Sequence, residues 1–142
     1  MYDTVVVATD GSESVERAVT VATDFAGRFE ADCHALYVVD TRVFADAPRD
    51  LRPDLRAAVE DRGRAALADV EDRADGVTTE IREGRPAEEI VDYAREVDAD
   101  VVATGTRGRH GEGRIVLGSV AEEVVRTAPM PVLTVRKLAE EE

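Results

Sequence analysis

Five short apolar runs predict the strands of this chain. Residues 4–9 form a continuous, β-branched run, which is the pattern of a strand buried on both faces of a sheet. Residues 77–83 instead alternate apolar and polar side chains, which is typical of a strand nearer an edge. The other predicted strands are residues 33–39, 100–104 and 132–135.

The segments between these runs have helical periodicity. Apolar residues recur at spacings of three, four and seven from Val15 to Phe29, which predicts a helix with one buried face, capped by Ser12 or Asp10. Residues 51–74 predict a long second helix. Pro86 suits the first position of a third. A fourth begins near Ser119, which forms a capping-box pattern with Glu122.

Strands that alternate with helices predict an α/β fold with a parallel, doubly wound sheet covered on both faces. We expect residues 1–142 to form one domain of this kind. Ligands of such sheets lie at the carboxyl ends of the strands, where the strand order reverses. Two polar segments occupy such ends: residues 9–12 after the first strand, and the stretch from Gly105 after the fourth.

The second of these segments, residues 105–120, has the composition of an anion-binding loop. It holds five glycines and three arginines between a strand and a helix start. Glycines let the backbone approach a ligand closely, and a helix N-terminus offers unpaired N–H donors. The pattern is G-x2-G-x9-G-S, so it is neither a P-loop, which needs a lysine, nor a dinucleotide fingerprint. We therefore expect it to bind the phosphates of a nucleotide.

Composition narrows the range of partners. The chain has 18 basic and 31 acidic residues, a net charge of −13, which disfavours nucleic acid and anionic membranes. No apolar run approaches the ~20 residues of a membrane span, and the N-terminus lacks a signal-peptide pattern, so we expect a cytoplasmic protein. Lys137 is the sole lysine. An acidic, lysine-poor surface suggests a halophilic source, whereas GC-rich codons alone would explain the arginines but not the acidity.

Several segments together resemble the universal stress protein family. They are residues 5–12 (VVVATDGS), 84–90 (GRPAEEI), the glycine pattern that ends at residues 118–120 (GSV), and residues 128–135 (APMPVLTV). The resemblance covers nearly the whole chain. It implies a five-stranded parallel sheet of order 3-2-1-4-5 with helices on both faces. It also implies a homodimer formed through the last strand, Val132–Val135, and ATP bound at the ends of the first and fourth strands.

The resemblance also assigns site residues by position. Ala8, Thr9 and Asp10 would lie at the ribose and adenine, although Asp10 could serve equally as a helix cap, and Val38 would line the adenine pocket. Mg²⁺ would be held mainly by the phosphates of ATP. The phosphates would be bound by the last strand residue and the loop: Thr104, Gly105, Gly108, Arg109, Gly118, Ser119 and Val120.

The sequence offers little machinery for fast chemistry. It has no Walker lysine, no cluster of metal ligands and no nucleophile elbow. We therefore expect an ATP-binding regulatory module in the stress response with little or no hydrolysis, acting on a protein partner that the sequence does not identify. Two alternatives remain: a dimeric interaction module that binds no nucleotide, and a slow ATP-cleaving enzyme.

Overall fold

A computed structural model describes residues 2–106 and 117–137. The strands are β1 (Thr4–Ala8), β2 (Asp32–Asp40), β3 (Thr78–Gly84), β4 (Val101–Gly105) and β5 (Val132–Val135). The helices are α1 (Glu13–Arg28), α2 (Arg52–Arg73), α3 (Pro86–Glu96) and α4 (Ser119–Thr127). Two 3₁₀ turns, Thr41–Val43 and Arg49–Leu51, connect β2 to α2.

The five strands form one parallel sheet in the order β3-β2-β1-β4-β5. This order confirms the predicted fold class, and it confirms the prediction that the alternating strand, β3, lies at an edge. The central strand β1 pairs on both sides: Val7 lies opposite Ala35 of β2 and Ala103 of β4. Consistent with that position, Val5, Val6 and Val7 are fully buried.

Alternation along β1 divides the core between two faces of the sheet. Val5 and Val7 belong to a cluster with side chains of α1 and α2. Val6 points the other way and joins Leu36 in a cluster with side chains of α3 and α4. The sheet therefore lies between two helical layers, because successive strand residues face opposite sides.

The helix starts differ in part from expectation. Pro86 is the first residue of α3, as predicted. The capping-box prediction for α4 is wrong: Gly118 is the N-cap, and Ser119 is already the first helical residue. Ser12 does occupy the N-cap position of α1, but its side chain makes no capping bond.

The first part of α2 is less buried than its apolar pattern suggests. The sequence pattern predicts an inward helix face that includes Leu55, but Leu55 is 37% exposed and residues 51–58 are exposed throughout. The helix becomes buried further along, at Gly63, Leu67 and Val70. No helix within the described residues is both long and apolar enough to cross a bilayer.

Candidate functional site

The carboxyl ends of β1 and β4 form the centre of the candidate site. From β1 the chain passes outward to β2 and β3 and then returns to the other side of β1 as β4 and β5. The strand order therefore reverses between β1 and β4, and the connections leaving these two strands run to opposite faces. Doubly wound folds bind their ligands at such a switch point, outside the carboxyl ends of the strands. Thr9 and Gly105 lie at the two sides of this switch point.

The turn from β1 to α1 is fixed by short-range hydrogen bonds. The N–H of Thr9 donates to the carbonyl of Leu36 at 2.9 Å, which extends the pairing of β1 with β2. Gly11 N–H donates to Thr9 Oγ1 at 3.1 Å, and Ser12 N–H donates to Asp10 Oδ1 at 2.9 Å. Gly11 has φ +78°, a conformation that favours glycine. Asp10 thus shapes the turn, which is the structural one of its two expected roles.

Three of the predicted residues form an apolar wall on the side of the sheet covered by α3 and α4. Ala8, Val38 and Val120 come from β1, β2 and α4, and all three are half-buried and pack against the same hydrophobic cluster. Thr104 faces the same side, because it lies two residues beyond Val102 of that cluster. Its side chain is buried. The tertiary structure therefore gathers residues that are far apart in the sequence.

The two ends of the glycine loop meet at a single residue, Thr106. Gly105 ends β4 opposite Val135, and Thr106 N–H donates to the Val135 carbonyl at 3.1 Å. The Thr106 carbonyl accepts a hydrogen bond from Gly118 N–H. Gly108 and Arg109, predicted to bind phosphate, lie outside the described residues.

The N-terminus of α4 faces this junction. The first helical hydrogen bond is donated by Glu122 to the Gly118 carbonyl at 2.9 Å. The N–H groups of Ser119, Val120 and Ala121 consequently have no acceptor within the helix. The helix dipole adds about half a positive charge at this end. Ser119 is exposed, so the arrangement suits an anion.

A charged pair that the sequence analysis did not single out follows β2 directly. Arg42 Nε and Nη2 donate to the two carboxylate oxygens of Asp40, at 2.9 and 2.8 Å. These hydrogen bonds lower the pKa of Asp40. Asp40 also accepts from the backbone N–H of Arg42 and so starts the 3₁₀ turn. Asp40 lies two residues beyond Val38 and, by strand alternation, faces the same side of the sheet.

A separate cleft of about 430 Å³ lies between α1 and α2, on the opposite face of the sheet from the apolar wall. Thr9 and Asp10 line one end of it. Arg73 lines it too, where it pairs with Asp69 at 3.1 Å and with Glu16 at 3.6 Å. The acidic and basic residues that alternate along α2 favour a solvated face, so the sequence did not predict this cleft. Across residues 2–106 and 117–137, no group of three or more His, Cys, Asp or Glu side chains could hold a metal ion.

The parallel sheet, whose strand order reverses between β1 and β4, places the protein in the class of doubly wound α/β folds. Sequence comparison then defines the family. The chain belongs to the universal stress protein family, whose sequence model matches residues 1–136. This confirms the resemblance inferred from the motifs.

Individual relatives agree with this assignment. A universal stress protein of Methanocaldococcus jannaschii is 39% identical over 142 residues, which cover 96% of this chain and 84% of the relative. The solved structure of a universal stress protein from Lactobacillus plantarum is 30% identical, with a TM-score of 0.83 over 95% of this chain and 98% of that one. A universal stress protein solved in complex with cAMP is 29% identical, with a TM-score of 0.70 over 95% of this chain and 97% of that one.

Proposed function

We propose that this chain binds an adenine nucleotide, ATP with Mg²⁺, and acts as a nucleotide-dependent regulatory module in the stress response. The observation that carries the proposal is the convergence of an apolar wall and a helix N-terminus at the switch point between β1 and β4. A nucleotide needs both surfaces, because its base is largely apolar and its phosphates are anionic.

The base would lie against the apolar wall. Ala8, Val38 and Val120 are each half-buried, so they retain surface that a purine ring could cover. Ligand pockets typically combine such apolar lining with a few polar groups that set orientation. Here those groups would be Thr9 and Asp10, near the ribose.

The phosphates would lie at the N-terminus of α4, where Ser119 and Val120 present N–H groups. Gly118 has φ −68° and ψ 164°, a backbone conformation open to any residue. Its backbone therefore does not require glycine, and the missing Cβ leaves room for a ligand to approach the peptide. Thr104 and Gly105 would border the phosphates from β4, while Gly108 and Arg109 would complete the set from the loop.

The comparison structure in complex with cAMP supports the class of ligand, since that protein shares the fold and 29% of its sequence with this chain. The choice of ATP rests on the complete G-x2-G-x9-G-S pattern, which resembles that of the ATP-binding branch of the family.

We further propose that hydrolysis is slow or absent. Phosphoryl transfer needs a positioned water and charge neutralisation at the γ-phosphate, commonly with a P-loop lysine. The sole lysine of this chain, Lys137, lies after β5 and pairs with Glu13 at 3.4 Å. Mg²⁺ would be held mainly by the phosphates. ATP turnover near the typical enzyme value of ~10 s⁻¹ would contradict this part of the proposal.

The regulatory output would pass through a homodimer formed along β5. This strand lies at one edge of the sheet, so one side of its backbone has no partner strand among residues 2–106 and 117–137. A second copy pairing along the same edge would satisfy those N–H and C=O groups with two-fold symmetry.

The test compares two Gly→Ala variants with wild type. Gly118→Ala adds a methyl group at the proposed phosphate site in an allowed backbone conformation, so we expect normal folding and at least tenfold weaker ATP binding, a loss of ~1.4 kcal/mol. Gly27→Ala, in α1, meets nothing within 4 Å and serves as the matched control with unchanged binding.

Isothermal titration with ATP and Mg²⁺ measures the affinities, and mass spectrometry of denatured wild type identifies any copurified nucleotide. A folded wild type that neither carries nor binds an adenine nucleotide would reject the proposal in favour of a nucleotide-free interaction module. An ATP affinity in the Gly118→Ala variant equal to that of wild type would show that the phosphates do not bind at the N-terminus of α4.

A further inference from the structure

The backbone of Thr106 joins two parts of the molecule that the proposed function treats separately. Its N–H donates to the carbonyl of Val135, the last residue of β5, at 3.1 Å. Its carbonyl accepts from the N–H of Gly118, the N-cap of α4. Thr106 was not among the predicted site residues, because these contacts involve only its backbone and no side-chain pattern marks them.

The second hydrogen bond conflicts with the binding of a phosphate. Gly118 N–H is one of the donors expected to hold the nucleotide, yet here it is occupied by a group of the protein itself. The Thr106 carbonyl also places a partial negative charge beside the donors of Ser119 and Val120. A phosphate at this helix end would compete with that oxygen for Gly118 N–H and would repel it.

We propose that Thr106 is a positioning residue whose carbonyl closes the α4 donor site in the empty protein and is displaced when phosphate binds. This inference rests on the proposed nucleotide site and adds its regulation. The ligand class that opens the site is a nucleoside polyphosphate, because the displacing group must be an anion able to accept from several N–H donors.

Displacement of the Thr106 carbonyl would be felt at β5. The N–H and the carbonyl of Thr106 belong to the two planar peptides that meet at its Cα, so a backbone rotation that moves the carbonyl away from Gly118 changes the torsion angles directly beside the N–H that donates to Val135. Gly105, the preceding residue, is itself in register with Val135. This arrangement would couple occupancy of the phosphate site to the end of the edge strand. By linkage, a partner that fixes β5 would change the nucleotide affinity by the same factor by which the nucleotide changes the affinity for that partner.

The experiment detects these hydrogen bonds directly by NMR on ¹⁵N,¹³C-labelled wild type. Scalar coupling between Gly118 ¹⁵N and the Thr106 carbonyl ¹³C reports one bond, and hydrogen exchange at the Thr106 amide reports the other. The probes are ATP with Mg²⁺, and adenosine, which carries the same base and ribose but no phosphate. The control is the bond from Val102 N–H to the Pro131 carbonyl, 3.0 Å long, which joins β4 to the segment before β5.

We expect the Gly118–Thr106 coupling in the empty protein and with adenosine, and its loss with ATP. Exchange at the Thr106 amide should rise about tenfold with ATP while Val102 stays unchanged. ATP binding with the coupling retained would overturn this inference and leave the proposed function intact. No coupling in the empty protein would also overturn it. If neither probe binds, the proposed function and the displacement both fail, and the hydrogen bond only closes the base of the loop.

Discussion

Gly63 of α2 lies directly against the ring of Tyr37 in β2: a methyl group built on Gly63 would come within 2.6 Å of Tyr37 Cδ1 and 2.9 Å of Cε1. Tyr37 is buried, 5% exposed, so its ring has little room to withdraw. This glycine therefore sets how closely α2 approaches the sheet, on the face that also carries the cleft between α1 and α2.

Gly63→Ala should destabilise the protein although Ala is the better helix former. Overpacking against a buried ring costs ~1–3 kcal/mol, which exceeds the ~0.5–1 kcal/mol gained from helix propensity. Gly27→Ala has open space around it and should show the gain alone. Urea unfolding of both variants measures the difference. A Gly63→Ala variant as stable as the Gly27→Ala variant would show that the ring moves aside without cost.

Ser12→Ala should be neutral or should stabilise the protein by up to about 1 kcal/mol, because the usual N-cap bond is absent. The Ser12 hydroxyl is buried and has no hydrogen-bond partner within the described part of the chain. Asp10→Ala should instead cost ~1 kcal/mol, since Asp10 Oδ1 accepts from Ser12 N–H. Thermal unfolding of the two variants beside wild type measures both effects. A loss in Ser12→Ala as large as in Asp10→Ala would show that the hydroxyl has a partner in solution.

Arg82→Met should raise the pKa of Glu96. Arg82 donates to both carboxylate oxygens of Glu96 at 2.7 Å, and these hydrogen bonds hold the pKa of Glu96 below its ordinary value. A lowered folded-state pKa stabilises the fold above the ordinary pKa of the group, and that contribution is lost as the pH falls through the folded-state pKa. Titration of the Glu96 carboxyl ¹³C signal measures the shift. Arg82→Lys, which keeps the charge but not the bidentate geometry, should lie between the two; an unchanged midpoint in Arg82→Met would contradict the pairing.

Stability should fall at alkaline pH because of Cys33. Burial raises the pKa of this thiol to about 11, whereas an unfolded chain ionises it near the ordinary value of about 8.5. The raised folded-state pKa means that the thiol's contribution is complete below the ordinary pKa and is lost as the pH rises through that window. Measuring the free energy of unfolding of wild type and Cys33→Ala between pH 8 and 11 checks this. The other titratable groups are the same in both proteins, so their contributions cancel when the two free energies are subtracted. We expect wild type to lose ~2–3 kcal/mol more than the variant over the full window; parallel curves would show that the thiol is accessible to water.

Some features of the helix ends had no signal in the sequence. Glu30 and Asp98 have φ +53° and +54°, left-handed conformations in which helices usually carry glycine. Each of these residues follows a helix end, and the amide after it donates a hydrogen bond to a helical carbonyl. Ala31 N–H donates to the Ala26 carbonyl and Ala99 N–H donates to the Ala94 carbonyl, both at 2.8 Å. The glycine nearest to Glu30, Gly27, lies inside α1 instead. The short connection from the helix into the following strand imposes this turn, and no local sequence pattern marks it.

The candidate site likewise combines residues that the sequence predicts with a contact that it does not predict. The family resemblance selected Ala8, Val38 and Val120 by position, and in the structure all three pack against the same hydrophobic cluster. The bond between Thr106 and Gly118 could not be predicted, because it joins backbone groups that any residue carries.

The sequence by itself determined the alternation of strands and helices, the family, and the edge of the sheet at which polar segments gather. These follow from periodicity and from residue types that act locally, within a few positions of one another. Only the tertiary structure decided that Gly118 rather than Ser119 caps α4, that Tyr37 leaves no room for a side chain at Gly63, and that Thr106 links the loop to β5. Each of these depends on which distant segments come into contact, and that is settled by packing of the whole chain.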